Sequence, residues 1–253
     1  MQQTFDYGRT ARIGVGTPQG NPTVEAEFGI LLPRSCSLYV ARLTACAPDG
    51  PEKLREYLRD LAGPLQTYDI LKPDIFGFAC TGSSYLYGVD GEAEILETIG
   101  RQVSYPIVTA AHALRWALDH HKAKRIAIVA PYPRWLLDAA GKYWSDLGYN
   151  IVTIEQIPTG SSDTRAIYKL GSAAPLPALA KLDLDALDAV LMSGTGMPSL
   201  ALLKAAPVAK PLISSNFCLA ACLLQRTGHG NLLDANLNIA GWRGRLAEAM
   251  ELA

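Results

Sequence analysis

One pattern occurs twice in this 253-residue chain, and it restricts the fold more than any other feature. Asp74-Ile75-Phe76-Gly77-Phe78-Ala79-Cys80-Thr81-Gly82-Ser83-Ser84 aligns with Asp188-Ala189-Val190-Leu191-Met192-Ser193-Gly194-Thr195-Gly196-Met197-Pro198-Ser199. Each reads as an apolar strand that stops at a small, hydroxyl-rich loop, and such a loop leaves backbone N–H groups free to face an anion. Only the first copy places a thiol there.

The echo extends beyond this pair. Arg12-Ile13-Gly14-Val15-Gly16 returns in type as Arg125-Ile126-Ala127-Ile128-Val129. Tyr105-Pro106-Ile107-Val108-Thr109-Ala110 returns as Lys210-Pro211-Leu212-Ile213-Ser214-Ser215, each ahead of a helical pattern. The three matches keep their order. Strand-like runs alternate with helical ones throughout, with helices expected over 51–66, 91–98 and 110–121, and this is the form of parallel sheets with crossover helices. The reading is an α/β chain of two pseudo-symmetric lobes, each a parallel sheet flanked by helices, with the active site at their interface. The first lobe is expected over 1–115 with 215–253 returning to it, and the second over 116–214. The alternative is one doubly wound domain whose repetition is coincidence. Parallel sheets bind ligands beyond the carboxyl ends of their strands, which brings Cys80, Gly194 and the Pro131-Tyr132 turn to one cleft.

A composition of 49% hydrophobic and 19% charged residues is that of a globular chain able to bury a core. A net charge of −1 with no basic stretch argues against nucleic acid as a partner. No run reaches the ~18 apolar residues of a membrane span, and Met1 to Thr10 lack an apolar leader region. A soluble cytoplasmic protein is the default expectation. The five cysteines are then reduced thiols. Cys218 and Cys222, four apart on an apolar helix without nearby histidine, read as core packing rather than metal ligands, as do Cys36 and Cys46 as small hydrophobes.

Cys80 is the exception. A thiol at a strand end, facing free N–H donors, is expected to have a lowered pKa and to act as a nucleophile or proton carrier. Thr81, Gly82, Gly194 and Thr195 offer hydroxyl and amide donors suited to a carboxylate or an enediolate. Asn21 either donates to a substrate carboxylate or caps a helix, and Tyr132 either binds the same anion or packs at a loop. His112 sits within the 110–121 helix and reads as packing. No sequence signature for a metal or nucleotide is present; Gly14-Val15-Gly16 alone does not make one.

From Arg12 to Gln225 these residues resemble the aspartate/glutamate racemase superfamily, in the branch of arylmalonate decarboxylase and maleate cis-trans isomerase. The resemblance rests on Asn21-Pro22-Thr23-Val24-Glu25, Cys80-Thr81-Gly82, Pro131-Tyr132 and Ser193-Gly194-Thr195-Gly196-Met197-Pro198-Ser199-Leu200. It implies a cofactor-independent, metal-free enzyme with one cysteine contributed by each lobe. Cys80 is then the first-lobe cysteine, and Gly194 stands where the second is expected, which argues against two-base racemisation. A single proton donor suits decarboxylation of an (aryl)malonate, with Cys80 protonating the carbanion from the face opposite to the usual one. Maleate isomerases are similar at Asn21, Tyr132 and Cys80, where sulfur attacks the alkene and the amide and phenol bind carboxylate. Their second asparagine falls near Ser162-Asp163-Thr164-Arg165, with Thr164 in its place. The leading expectation is a decarboxylase acting on a small dicarboxylate, bound by Asn21, Thr81, Gly82, Tyr132, Gly194 and Thr195 around catalytic Cys80. The alternatives are a maleate isomerase, a non-catalytic small-acid binder, and an amide hydrolase using His112 as base. A homo-oligomer is compatible with all of them.

Overall fold

The computed structural model, which describes residues 6–251, repeats one strand order in two parallel four-stranded sheets. The first sheet runs β2-β1-β3-β4, with β1 at Arg12–Pro18, β2 at Ser37–Leu43, β3 at Ile75–Phe78 and β4 at Ile107–Thr109. The second runs β6-β5-β7-β8, with β5 at Arg125–Ala130, β6 at Asn150–Gln156, β7 at Ala189–Met192 and β8 at Leu212–Ser214. The residues that open the sequence repeat form the same clasp in both. The Arg12 amide donates to Asp74 Oδ2 at 2.7 Å, and the Arg125 amide to Asp188 Oδ2 at 2.8 Å. Each guanidinium also pairs with its aspartate, at 2.7 and 2.8 Å. The clasp aligns the first strand of each sheet with its third, so that Gly16 lies beside Phe78 and Val129 beside Met192. Strands β3 and β7 are buried along their whole length, as central parallel strands require.

The helices are α1 (Thr23–Leu31), α2 (Gly50–Arg59), α3 (Ala62–Gln66), α4 (Thr81–Gly100), α5 (Ala110–His120), α6 (Arg134–Asp146), α7 (Leu176–Leu179), α8 (Leu200–Ala205), α9 (Ser215–Leu224) and α10 (Trp242–Glu251). The single helix expected over 51–66 is two. Pro64 has no N–H to give the Asp60 carbonyl, and the chain breaks between α2 and α3. The helix expected over 91–98 begins at Thr81, so Thr81-Gly82-Ser83-Ser84 is a first helical turn and not a loop. These are weak helix formers, and Gly88 (φ 71°) interrupts the helix before the recognisable pattern begins, which hides the start from sequence reading. The second copy of the motif does remain a loop up to Ser199.

The two sheets are joined by exchanged packing. Helix α9 follows β8, yet Leu219 and Leu223 on it fill the space a side chain at Gly77 of β3 would take. Cys218 and Cys222 are buried on the same helix, where they pack. Helix α10 returns to α1, where Arg245 donates to the Ile30 and Leu31 carbonyls at 2.6 and 2.7 Å, satisfying the end of that helix. Glu27 of α1 forms a second tie. Its carboxylate accepts from the Ser199 and Leu200 amides at 2.5 and 3.1 Å, and from Asn216 Nδ2 at 2.8 Å. Burial pushes the Glu27 pKa up, against the pull of those donors.

Among the described residues no helix is long and apolar enough to cross a membrane. Residues 1–5, which carry part of the leader reading, lie outside the described residues, as do 252–253.

Candidate active site

Cys80 is the residue immediately before α4, in extended conformation (φ −149°, ψ 96°), and its sulfur faces the first turn of the helix. The Gly82 and Ser83 amides and the Ser83 hydroxyl all act on it, and each lowers its pKa. Burial outweighs them. The side chain is 5% exposed and its pKa is raised, which corrects the expectation of a lowered value. The local hydrogen bonds agree with a neutral thiol. Ser83 Oγ has one proton to give and lies 2.6 Å from the Leu54 carbonyl but 3.2 Å from Sγ. The shorter contact takes the larger share of that proton, so the Ser83 hydroxyl does little to hold a thiolate.

A small hollow of about 40 Å³ lies beside the sulfur. Every residue proposed from sequence lines it: Asn21, Cys80, Thr81, Gly82, Tyr132, Gly194 and Thr195. The first four come from the first lobe and the last three from the second, so the strand ends of both sheets meet there. A larger hollow of about 340 Å³ lies between α5, α8, α9 and α10, but none of these groups lines it. Chemistry, not size, selects the smaller one.

Each lining side chain is held by a neighbour. The Thr23 amide donates to Asn21 Oδ1 at 2.9 Å, which serves the start of α1, while Asn21 Nδ2 reaches Thr195 Oγ1 at 3.4 Å. Asn21 thus stands one residue ahead of the Pro22 cap position, with its amide nitrogen turned toward the second-lobe loop. Thr195 Oγ1 donates to the Ala79 carbonyl at 2.9 Å, fastening the loop of one lobe to the strand end of the other. Asn216 Nδ2 binds the Thr195 carbonyl at 2.9 Å and thereby links Glu27 to the site. Tyr132 Oη and Thr81 Oγ1 are 2.5 Å apart across the lobe boundary. Burial drives the Tyr132 phenol well above its ordinary pKa, so it stays protonated and can donate.

Gly194 adopts φ 133°, a region side chains avoid. A Cβ built there meets Pro131 at 3.4 Å, ordinary contact, so backbone shape rather than crowding favours glycine. His112 does not line the hollow. It faces buried Glu92, with Nε2 3.8 Å from Oε2, leaving the amide-hydrolase alternative without its base.

Sequence reading missed the cover. The segment Thr164–Lys169 folds as a 3₁₀ turn that lays Thr164, Ile167 and Tyr168 over the hollow. The Tyr168 ring lies so close to Gly196 that a Cβ there would come within 2.6 Å of it. Leu54 and Leu136 add apolar wall from α2 and α6. Only Thr164 of this group carried a signal, through the family resemblance.

No family model matches the chain. A maleate isomerase of Pseudomonas putida is 25% identical over 232 residues, covering 85% of this chain and 90% of that protein. The crystal structure of a Nocardia farcinica maleate cis-trans isomerase, a cysteine-to-serine variant with a covalently bound succinylcysteine intermediate, superposes with a TM-score of 0.71 at 24% identity. It covers 85% of this chain and 91% of that one. An arylmalonate decarboxylase variant, with one glycine changed to cysteine and one cysteine to serine, gives a TM-score of 0.71 at 17% identity. That match covers 87% of this chain and 94% of the other.

The sequence relatives of this chain are maleate isomerases, and the arylmalonate decarboxylases are likenesses of fold. The two sheets of identical order are the architecture shared with these structures.

Proposed function

We propose that the protein isomerises a small cis-unsaturated dicarboxylate such as maleate, with Cys80 as the reacting group. The observation that carries this reading is the hollow itself: small, about 40 Å³, with hydroxyl and amide groups in its lining and Cys80 as its one sulfur. It suits a compact four-carbon diacid better than a malonate bearing an aryl ring, and this shifts the weight from decarboxylation to isomerisation. The similarity to maleate isomerases supports the same direction.

The thiol carries both groups that addition needs, and the sulfur attacks as it gives up its proton. The S–H adds across the double bond, sulfur joining one carbon and the proton ending on its neighbour, to give a succinyl adduct. Rotation about the new single bond and loss of the thiol then leave the trans diacid. Charge that gathers on the adjacent carboxylate during addition meets an O–H of the Tyr132–Thr81 pair and the Asn21 amide as donors. One sulfur suffices to form the adduct, and a relative lacking one of its cysteines holds a covalently bound succinylcysteine.

A second reading keeps one specific observation in its favour. Leu54, Leu136 and Ile167 give the hollow an apolar wall, against which a malonate carboxylate would be desolvated and leave as CO₂. The bonding pair would then pass to an enediolate, and the Cys80 proton to carbon. Incubation with maleate while following fumarate by proton NMR, and with phenylmalonate and methylmalonate while following CO₂, separates the readings. Fumarate without CO₂ is the expected result. CO₂ alone transfers the assignment to decarboxylation. Thermal stabilisation by either acid without turnover leaves a binding protein.

A further inference from the structure

One line of hydrogen bonds runs through the buried interior and ends at the hollow. Trp144 Nε1 donates to Tyr85 Oη at 3.1 Å. Tyr85 Oη lies 2.8 Å from Ser193 Oγ, Ser193 Oγ 3.1 Å from Tyr132 Oη, and Tyr132 Oη 2.5 Å from Thr81 Oγ1. The line passes from α6 to α4, to the end of β7, to the turn after β5 and back to the first turn of α4. All of its members are buried.

Distances do not say which hydroxyl donates, but proton counting does. An indole N–H donates and never accepts, so Tyr85 receives there. Its own proton must then go onward, and Ser193 Oγ is the one acceptor within reach among the described residues. Ser193, having received, passes its proton to Tyr132. The line holds five X–H protons and makes four hydrogen bonds, each consuming one. The proton left over therefore belongs to the Tyr132–Thr81 pair, whose side chains both line the hollow. Run the other way, both of these hydroxyls would be spent inward, and a buried O–H would be stranded beside the indole without a partner.

We propose that Trp144, Tyr85 and Ser193 are positioning residues that polarise this line toward the hollow, so that the Tyr132–Thr81 pair always presents an O–H donor to a carboxylate or enediolate oxygen. The inference rests on the small-diacid reading of the site. The donor is set before the ligand arrives, and each link strengthens the next. No part of the line touches the substrate except its last pair.

The test uses succinate, a saturated diacid that can neither isomerise nor be consumed, with ¹⁵N-labelled tryptophan in the full chain. Trp144→Phe identifies the Trp144 indole signal by its loss. Saturating succinate is expected to move that indole proton downfield in the wild type. Ser193→Ala, which cuts the line at its middle, should abolish the shift while succinate still binds. Trp144→Phe should weaken succinate binding by up to about fivefold, the cooperative share of one link, roughly 10–30% of a charge-assisted bond. Tyr85→Phe should weaken it by a similar factor, and the double variant by no more than Tyr85→Phe alone. An indole signal unmoved in the saturated wild type overturns the relay, as does a shift of equal size in Ser193→Ala. Failure of the wild type to bind succinate or malonate at all overturns the diacid reading, and the relay with it.

Discussion

Replacing Glu27 with glutamine tests how the two lobes are held. One carboxylate oxygen takes the Ser199 and Leu200 amides, and the glutamine carbonyl can keep both. The other oxygen accepts from Asn216 Nδ2 at 2.8 Å, and there the glutamine offers NH₂ against NH₂. Asn216 can relieve the conflict by turning its amide, because its Oδ1 has no partner in the native arrangement. Turning forfeits the 2.9 Å bond to the Thr195 carbonyl. Either way one buried donor or acceptor is stranded, a cost of about 1–3 kcal/mol. For a chain of this length that is a fall in melting temperature of roughly 2–4 °C per kcal/mol.

Urea unfolding at constant m-value measures the difference, and pH gives it a sign. The Glu27 pKa is raised in the fold above its ordinary 4.5, so the native state binds a proton that the unfolded chain has already lost. Its contribution to wild-type stability is complete below pH 4.5 and declines as pH rises from there through the folded pKa. The gap between wild type and Glu27→Gln should therefore be widest in acid and narrow as pH rises over that window. Equal stability of the two proteins, or a gap that widens with rising pH there, refutes the argument.

Three further outcomes follow from the same geometry. Alkylation of Cys80 by iodoacetamide, read by peptide mass, should be slow at pH 7 and still be climbing at pH 9, because the thiol titrates above its ordinary 9.0; a plateau below pH 8 would contradict a neutral resting sulfur. Gly194→Ala should lower stability by about 1–3 kcal/mol in urea unfolding, through backbone conformation alone; unchanged stability would show that the positive φ is not required. Tyr168→Ala, by uncovering the hollow, should speed Cys80 alkylation at fixed pH; an unchanged rate would mean that reagent enters elsewhere.

The duplicated strand–turn unit made the fold legible because each copy carries its own clasp, Arg12 with Asp74 and Arg125 with Asp188, at matching positions. The grouping of the seven proposed residues around one hollow was legible because parallel sheets deliver strand ends to one side. Three features were hidden. The first turn of α4 is written in threonine, glycine and serine, whose local preference is for turns, and only burial against the second lobe makes it helical. The pKa of Cys80 depends on the balance between desolvation and helix N–H groups, which residue types alone do not weigh. Tyr168 and Ile167 reach the site from a segment with no repeat partner and no periodic pattern, so nothing in their neighbourhood announced a role.

The crossing of α9 from the second sheet onto the first limits how this protein can move. A jaw-like separation of the lobes would draw Leu219 and Leu223 off β3 and break the Glu27 tie in the same stroke, exposing core to water. A ligand that reaches Cys80 without disturbing that packing has to pass the rim of the hollow, where Thr164, Ile167 and Tyr168 of the short 3₁₀ turn lie.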